Sequence, residues 1–172
     1  MQRFRHDVDA ARFATRRAGL RLVLERYLGR PAASLVIDRT CRHCGAAHGK
    51  PRADNDRQLD SSVSSSGQLV AIAVARGIVV GIDVEATTTA EASLTWCCKE
   101  AVLKATGHGL AVEPRLVVID RIGDRLAVIA APPEHAELLA FRFVSLELPS
   151  GYIGALALDA AAASVVYFDL AD

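Results

Sequence analysis

Two short acidic runs hold the residue types best suited to chemistry. Gly81-Ile82-Asp83-Val84-Glu85 closes an apolar run from Val70 to Val80 that is rich in β-branched residues. Trp96-Cys97-Cys98-Lys99-Glu100 opens a helical pattern that carries Lys104 and stops at Gly107-His108-Gly109. Three carboxylates, Asp83, Glu85 and Glu100, at a strand end and a helix start suit a hard cation such as Mg²⁺, which takes oxygen ligands and keeps waters for a phosphate substrate. Asp83 and Glu85 are alternate strand residues and share a face. Glu100 and Lys104 are four apart on a helix and share a face too. Alone, each pair also fits a plainer reading, as solvated acids at a strand end or a surface Glu–Lys pair. The chemical reading rests on their combination.

The thiols are a second candidate. Cys41-x-x-Cys44, with His43 and His48 close by, has the composition of half a zinc site. A closed structural zinc site takes four protein ligands, usually from two such pairs; no second pair follows here, and His43 and His48 would complete only a crowded site. Cys97 and Cys98 are adjacent, a spacing that seldom makes a structural disulfide. The expectation is therefore reduced thiols, with Cys97 and Cys98 serving as core. His43, His48 and His108 read as loop histidines.

The elements that must position these residues can be read from periodicity and punctuation. Asp7 to Leu28 is an expected helix, with Leu20, Val23, Leu24, Tyr27 and Leu28 at three- and four-residue steps and arginines on its other faces. Gly29-Arg30-Pro31 stops it. Ser34 to Asp38 reads as a short strand. Thr40 to Asp60 reads as loop with a turn at His48-Gly49-Lys50-Pro51, and Leu59 to Ser66 as a serine-rich connection. Gln68 to Arg76 and Ile78 to Val84 read as a hairpin across Arg76-Gly77. Ala86 to Ser93 is a connection. Leu94 to Thr106 is an expected helix with Gly107 as its stop. Leu116 to Ile119 and Leu126 to Ile129 are expected strands around Gly123-Asp124. Pro132-Pro133 breaks the chain before a single helical turn at Glu134 to Leu139. Phe141 to Leu148 and Tyr152 to Leu158 form a second expected hairpin, and Val165 to Leu170 an edge strand.

Bulk composition limits the function classes. The 172 residues, about half of them apolar, suffice for one ordinary domain or two small lobes. Twenty basic residues balance twenty acidic ones, which argues against bulk nucleic-acid binding. The basic residues are uneven, however: Arg3, Arg5, Arg12, Arg16, Arg17, Arg21, Arg26 and Arg30 all fall in the first thirty positions. No stretch is long and uncharged enough to span a membrane, and the N-terminus lacks the apolar core of a signal peptide. A cytoplasmic protein, monomeric or a small homo-oligomer, is the expectation.

In this order the two acidic motifs resemble those of the 4′-phosphopantetheinyl transferase superfamily. Its members share a Gly-Ile-Asp-x-Glu strand end and a Trp-x-x-Lys-Glu-Ala-x-x-Lys helix followed by Gly-x-Gly-Leu. Here those blocks are Gly81 to Glu85, Trp96 to Lys104, and Gly107-His108-Gly109-Leu110. His48-Gly49-Lys50-Pro51 resembles the Gly-Lys-Pro turn of the larger, surfactin-synthetase type. Ser64-Ser65-Ser66-Gly67 stands where that type carries Ser-His-Ser, and Gly151-Tyr152-Ile153-Gly154-Ala155 resembles its closing strand. The resemblance implies an α+β fold of two pseudo-symmetric lobes, here 1–85 and 86–172, each a helix on a small antiparallel sheet. It implies transfer of the phosphopantetheine arm of coenzyme A to a serine of an apo acyl or peptidyl carrier protein. Under it Asp83, Glu85 and Glu100 would hold Mg²⁺, and Glu100 would also be the general base. Lys104 would meet the pyrophosphate, Arg12 and Lys50 the 3′-phosphate end, and Ser64 and Ser65 the phosphates. Lys99 would be structural or peripheral.

Three departures from the family pattern stand out. Ser65 replaces the histidine of Ser-His-Ser, exchanging a charge-assisted contact for a weaker neutral one. Only ten residues, Ala86 to Thr95, separate Glu85 from Trp96, where the family places a helix and flap that dock the carrier protein. The chain also starts about one family segment late, which implies an incomplete first lobe. These departures keep a second reading open: a relative that binds coenzyme A, a carrier protein or another partner without arm transfer, or with altered chemistry.

Overall fold

Leucines one turn apart give α1 (Asp7–Leu28) its buried stripe, while its arginines face outward or toward neighbouring backbone. In this computed structural model, residues 7–53, 56, 58–88, 93–159 and 164–170 are described. Leu20 and Leu24 are fully buried among Leu35, Leu59, Val63, Val70, Ile72 and Val74. Burial of one such leucine contributes roughly 1.5–3 kcal/mol. Arg21 closes the turn after the helix by donating from Nη1 to Ala32 O (2.9 Å) and Leu35 O (2.7 Å). Two short strands follow, β1 (Ile37–Asp38) and β2 (Arg52–Ala53), which pair antiparallel.

Beneath α1 lies an antiparallel pair, β3 (Leu59–Ser66) and β4 (Leu69–Arg76), joined at Gly67 with φ +56°. This corrects two expectations. Leu59–Ser66 is a full strand rather than a connection, and β4 pairs backward with β3 rather than forward across Gly77. β5 (Val80–Ala86) instead joins a five-stranded antiparallel sheet in the order β5-β9-β8-β7-β6. Its other members are β6 (Val118–Ile122), β7 (Arg125–Ala130), β8 (Arg142–Ser145) and β9 (Tyr152–Leu158). Residues 165–170, expected as an edge strand, carry no regular structure.

The serines explain why β3 escapes a reading by hydrophobicity. β5 spends one edge on β9, and an unpaired edge exposes backbone donors that need partners. Side chains of β3 supply them: Val80 N donates to Asp60 Oδ2 (2.8 Å), Ile82 N to Ser62 Oγ (3.1 Å) and Ala86 N to Ser66 Oγ (2.9 Å). The even-numbered positions of β3 thus form a polar seam against β5. The odd-numbered Leu59 and Val63 join the core under α1.

α2 (Leu94–Thr106) has the predicted bounds. Ser93 caps it by accepting from Trp96 N (3.1 Å), and Gly107 ends it in the left-handed region at φ +75°. Its buried face, Cys97, Cys98, Ala101, Val102, Leu103 and Ala105, packs with Val117, Val128, Phe141, Phe143, Ala155 and Ala157 of the large sheet and its flanks. A third cluster of Val80, Ile82, Leu156 and Leu158 joins the two sheets through Ala71, Ala73 and Ala75 of β4. The architecture is α+β with antiparallel sheets. Among the described residues, no helix is long and apolar enough to cross a membrane.

Candidate functional site

Asp83 is the centre of the arrangement. β5 carries it toward both β3 and α2, and its side chain is only 3% exposed. A carboxylate taken so far from water needs hydrogen bonds and a counter-charge. Asp83 Oδ1 accepts from Ser64 Oγ (2.8 Å) and from Lys104 Nζ (2.5 Å), and Lys104 Nζ also donates to Ser64 Oγ (3.0 Å). The expected strand and helix residues therefore meet, with Ser64 completing a triangle. The other oxygen, Asp83 Oδ2, is buried and has no hydrogen-bond partner. The Cys97 thiol lies near the Asp83 carboxylate and makes a long, weak bond to Ile153 O (3.8 Å).

Glu85 continues the same strand face and accepts at Oε2 from Ser66 Oγ (2.9 Å). Glu100 faces both acids from α2, one turn before Lys104. Burial pushes the Glu100 carboxyl above the ordinary range; Lys104 opposes that shift, while Asp83 and Glu85 reinforce it. Three carboxylates thus share one field with a single ammonium among them, and one buried oxygen is orphaned. This donor set fits a hard divalent cation. Burial, and then the charge of Asp83, pushes the Cys97 thiol up to about 12; burial alone does so for Cys98. Both are neutral packing groups at physiological pH, as expected, and not nucleophiles.

The remaining candidates are placed differently. Ser65 lies on the opposite face of β3 from Ser64, the face that Val63 turns toward α1. Lys50 does not join the acidic network. Its side chain is 8% exposed, and its ammonium pairs with Asp60 while donating to Val80 O (2.9 Å) and Ala105 O (2.6 Å). All three of its protons thus have protein acceptors. Lys50 fastens the loop before β2 to β3, β5 and α2, a role that no local pattern signals. Lys50→Met should therefore cost about 3 kcal/mol in urea unfolding, because it removes the counter-charge of the part-buried Asp60 carboxylate and the donor to two carbonyls. Unchanged stability would remove Lys50 from this structural role.

Arg12 is half-buried on α1 and belongs to a basic cluster. Burial and then Arg12 lower the pKa of Arg16, and burial followed by Arg16 and Arg17 lowers that of Arg39. Arg17, Arg21 and Arg39 line a small recess with Leu20 and Ile37. The arginine-rich first helix was legible in the sequence; the contribution of Arg39 from the loop after β1 was not.

Among the described residues, metal-ligating atoms converge to within 4.8 Å of one another at two places, Cys41/Cys44/His48 and His108/His135/Glu137. The acidic triad is looser than either, with Lys104 supplying positive charge at Asp83. No protein-family model matches the chain, and no curated protein matches it.

Proposed function

We propose that the chain transfers the 4′-phosphopantetheine arm of coenzyme A to a serine of an apo acyl or peptidyl carrier protein. The observation that carries this reading is the Asp83–Lys104–Ser64 triangle, with an orphaned Asp83 oxygen and with Glu85 and Glu100 in the same field. Transfer of a phosphoryl-type group spreads negative charge over oxygens, so the protein's task is positioning and neutralisation. A divalent cation held by Asp83, Glu85 and Glu100 would supply the charge that the pyrophosphate lacks. Lys104, a third exposed, spends two protons on Asp83 and Ser64, and its third can serve a phosphate oxygen.

In the reaction, the carrier serine oxygen forms a bond to the phosphorus bearing the pantetheine arm. The bond from that phosphorus to the bridging oxygen breaks, releasing adenosine 3′,5′-bisphosphate. Glu100 accepts the serine proton, and its raised pKa brings it closer to the range where a carboxylate is an effective base. Arg12, with Arg16, Arg17 and Arg39, offers positive charge for the 3′-phosphate end. Lys50 is committed to Asp60 and two carbonyls, so the nucleotide contact falls to the arginines. Two helix-on-sheet units, α1 on β3–β4 and α2 on the large sheet, are compatible with the two lobes of this family.

A second reading has a specific observation in its favour. With Lys50 consumed in the fold, a protein of this shape could bind coenzyme A or a carrier protein without moving the arm. One experiment separates the two: incubation with Mg²⁺, coenzyme A and several apo carrier proteins, followed by intact-mass measurement. Transfer requires a carrier heavier by one phosphopantetheine. No gain on any carrier, together with calorimetric binding of coenzyme A, would overturn the transferase reading and favour the binding one.

A further inference from the structure

We propose that Cys41, Cys44 and His48 form a zinc site with a fourth, solvent-facing position, clamping the loop that delivers Lys50 into the fold. The three ligand atoms already lie within 4.8 Å of one another. Bonds of about 2.3 Å to sulfur and about 2.0 Å to nitrogen put tetrahedral ligand atoms roughly 3.5 Å apart, so closing on a metal needs only side-chain adjustment. Cys44 Sγ is 3.0 Å from His48 Nε2, and both cysteines are free thiols. Two sulfurs and an imidazole select a borderline-soft ion over magnesium or calcium.

The backbone is shaped for the same purpose. Cys41-Arg42-His43-Cys44 folds into a knuckle that Gly45 turns at φ +73°, with Gly45 N donating to Cys41 O (3.0 Å). Cys41 N donates to Ala46 O (2.8 Å), and His48 N donates to the same carbonyl (2.9 Å), bringing the imidazole back over the knuckle. Gly49 then passes so close to Thr40 that an added Cβ would stand 2.7 Å from Thr40 O. His43 lies outside this convergence, its ring near that of His108 with centroids 5.7 Å apart. Three protein ligands leave one position for water, which makes the ion exchangeable.

Cobalt titration of the reduced full-length chain tests the site. The equivalent held by the thiolates should show a sulfur-to-cobalt charge-transfer band and a tetrahedral visible spectrum, and zinc should displace it. Cys44→Ser and His48→Gln should each weaken binding on the order of a hundredfold, while His108→Gln, in the other cluster, should leave it unchanged. Binding without a charge-transfer band overturns the proposal. So does binding kept by Cys44→Ser and lost by His108→Gln. Wild-type protein gives an answer independent of any variant: zinc should protect two thiols from iodoacetamide, the buried Cys97 and Cys98 being unreactive throughout. Absence of protection overturns the proposal equally.

Discussion

Gly81→Ala is expected to yield no stably folded protein. An added Cβ would stand 1.9 Å from Ala101 O, 2.5 Å from Ala105 N and 2.8 Å from Ala105 Cβ. Two of those three atoms are helix backbone, so no rotamer change relieves the clash, and α2 must leave the sheet. The face it would uncover includes Cys97, Cys98, Val102 and Leu103, all fully buried. A loss above about 4 kcal/mol belongs to the exceptional class of single substitutions and approaches the whole stability of an ordinary domain. Gly19→Ala makes the informative contrast. There the nearest atom is the tip of a flexible side chain, Ile72 Cδ1 at 3.0 Å, and alanine improves the helix by about 1 kcal/mol. Circular dichroism and thermal melting of both variants decide the matter. A Gly81→Ala protein that melts within a few degrees of wild type would mean that α2 does not cross β5 here.

The same glycine shows what the sequence could and could not disclose. As a motif, Gly81-Ile82-Asp83 pointed to chemistry at Asp83, and Asp83 does meet Ser64, Lys104 and the field of Glu100. The glycine itself serves packing: it lets α2 approach closely enough for Lys104 to reach across. Helix α2 was readable to the residue because its signals are local, a periodic apolar face and a left-handed glycine stop. The first hairpin was not. Gly67 and Gly77 are both left-handed, at φ +56° and +71°, and nothing local ranks one above the other as the turn. The choice is tertiary, made by β9 pairing with β5 and by the side chains of β3 serving the other edge of β5. Asp60, Ser62, Ser64 and Ser66 alternate with period two, a signal that a hydrophobicity reading discards because the residues are polar. Lys50 was illegible for a related reason, since two of its acceptors are backbone carbonyls 30 and 55 positions away. At the cysteine loop the residue types were visible, but the return of His48 onto Cys44 depends on how the loop closes.

Glu100→Gln should abolish arm transfer, by about a thousandfold or more, while making the protein more stable at neutral pH. The two effects have one origin. Burial, with Asp83 and Glu85 nearby, raises the pKa of Glu100 in the folded state above that of the unfolded chain. A group raised in this way favours folding fully only below its unfolded pKa, and that contribution is lost as pH rises through its folded value. At neutral pH the ionised carboxylate therefore works against the fold, and glutamine removes that burden with nearly the same shape. The melting temperature of Glu100→Gln should exceed that of wild type at neutral pH. The gap should close as pH falls through the carboxylate range and wild-type Glu100 takes up its proton. Asp83→Asn should also abolish transfer but with the opposite effect on stability, because it leaves the Lys104 ammonium without its closest carboxylate. Addition of Mg²⁺ should raise the melting temperature of wild type by mass action and that of neither variant. A Glu100→Gln protein that melts below wild type at neutral pH, or that keeps full transfer activity, would take Glu100 out of the site. If Mg²⁺ stabilised all three proteins equally, the cation would have to be held elsewhere.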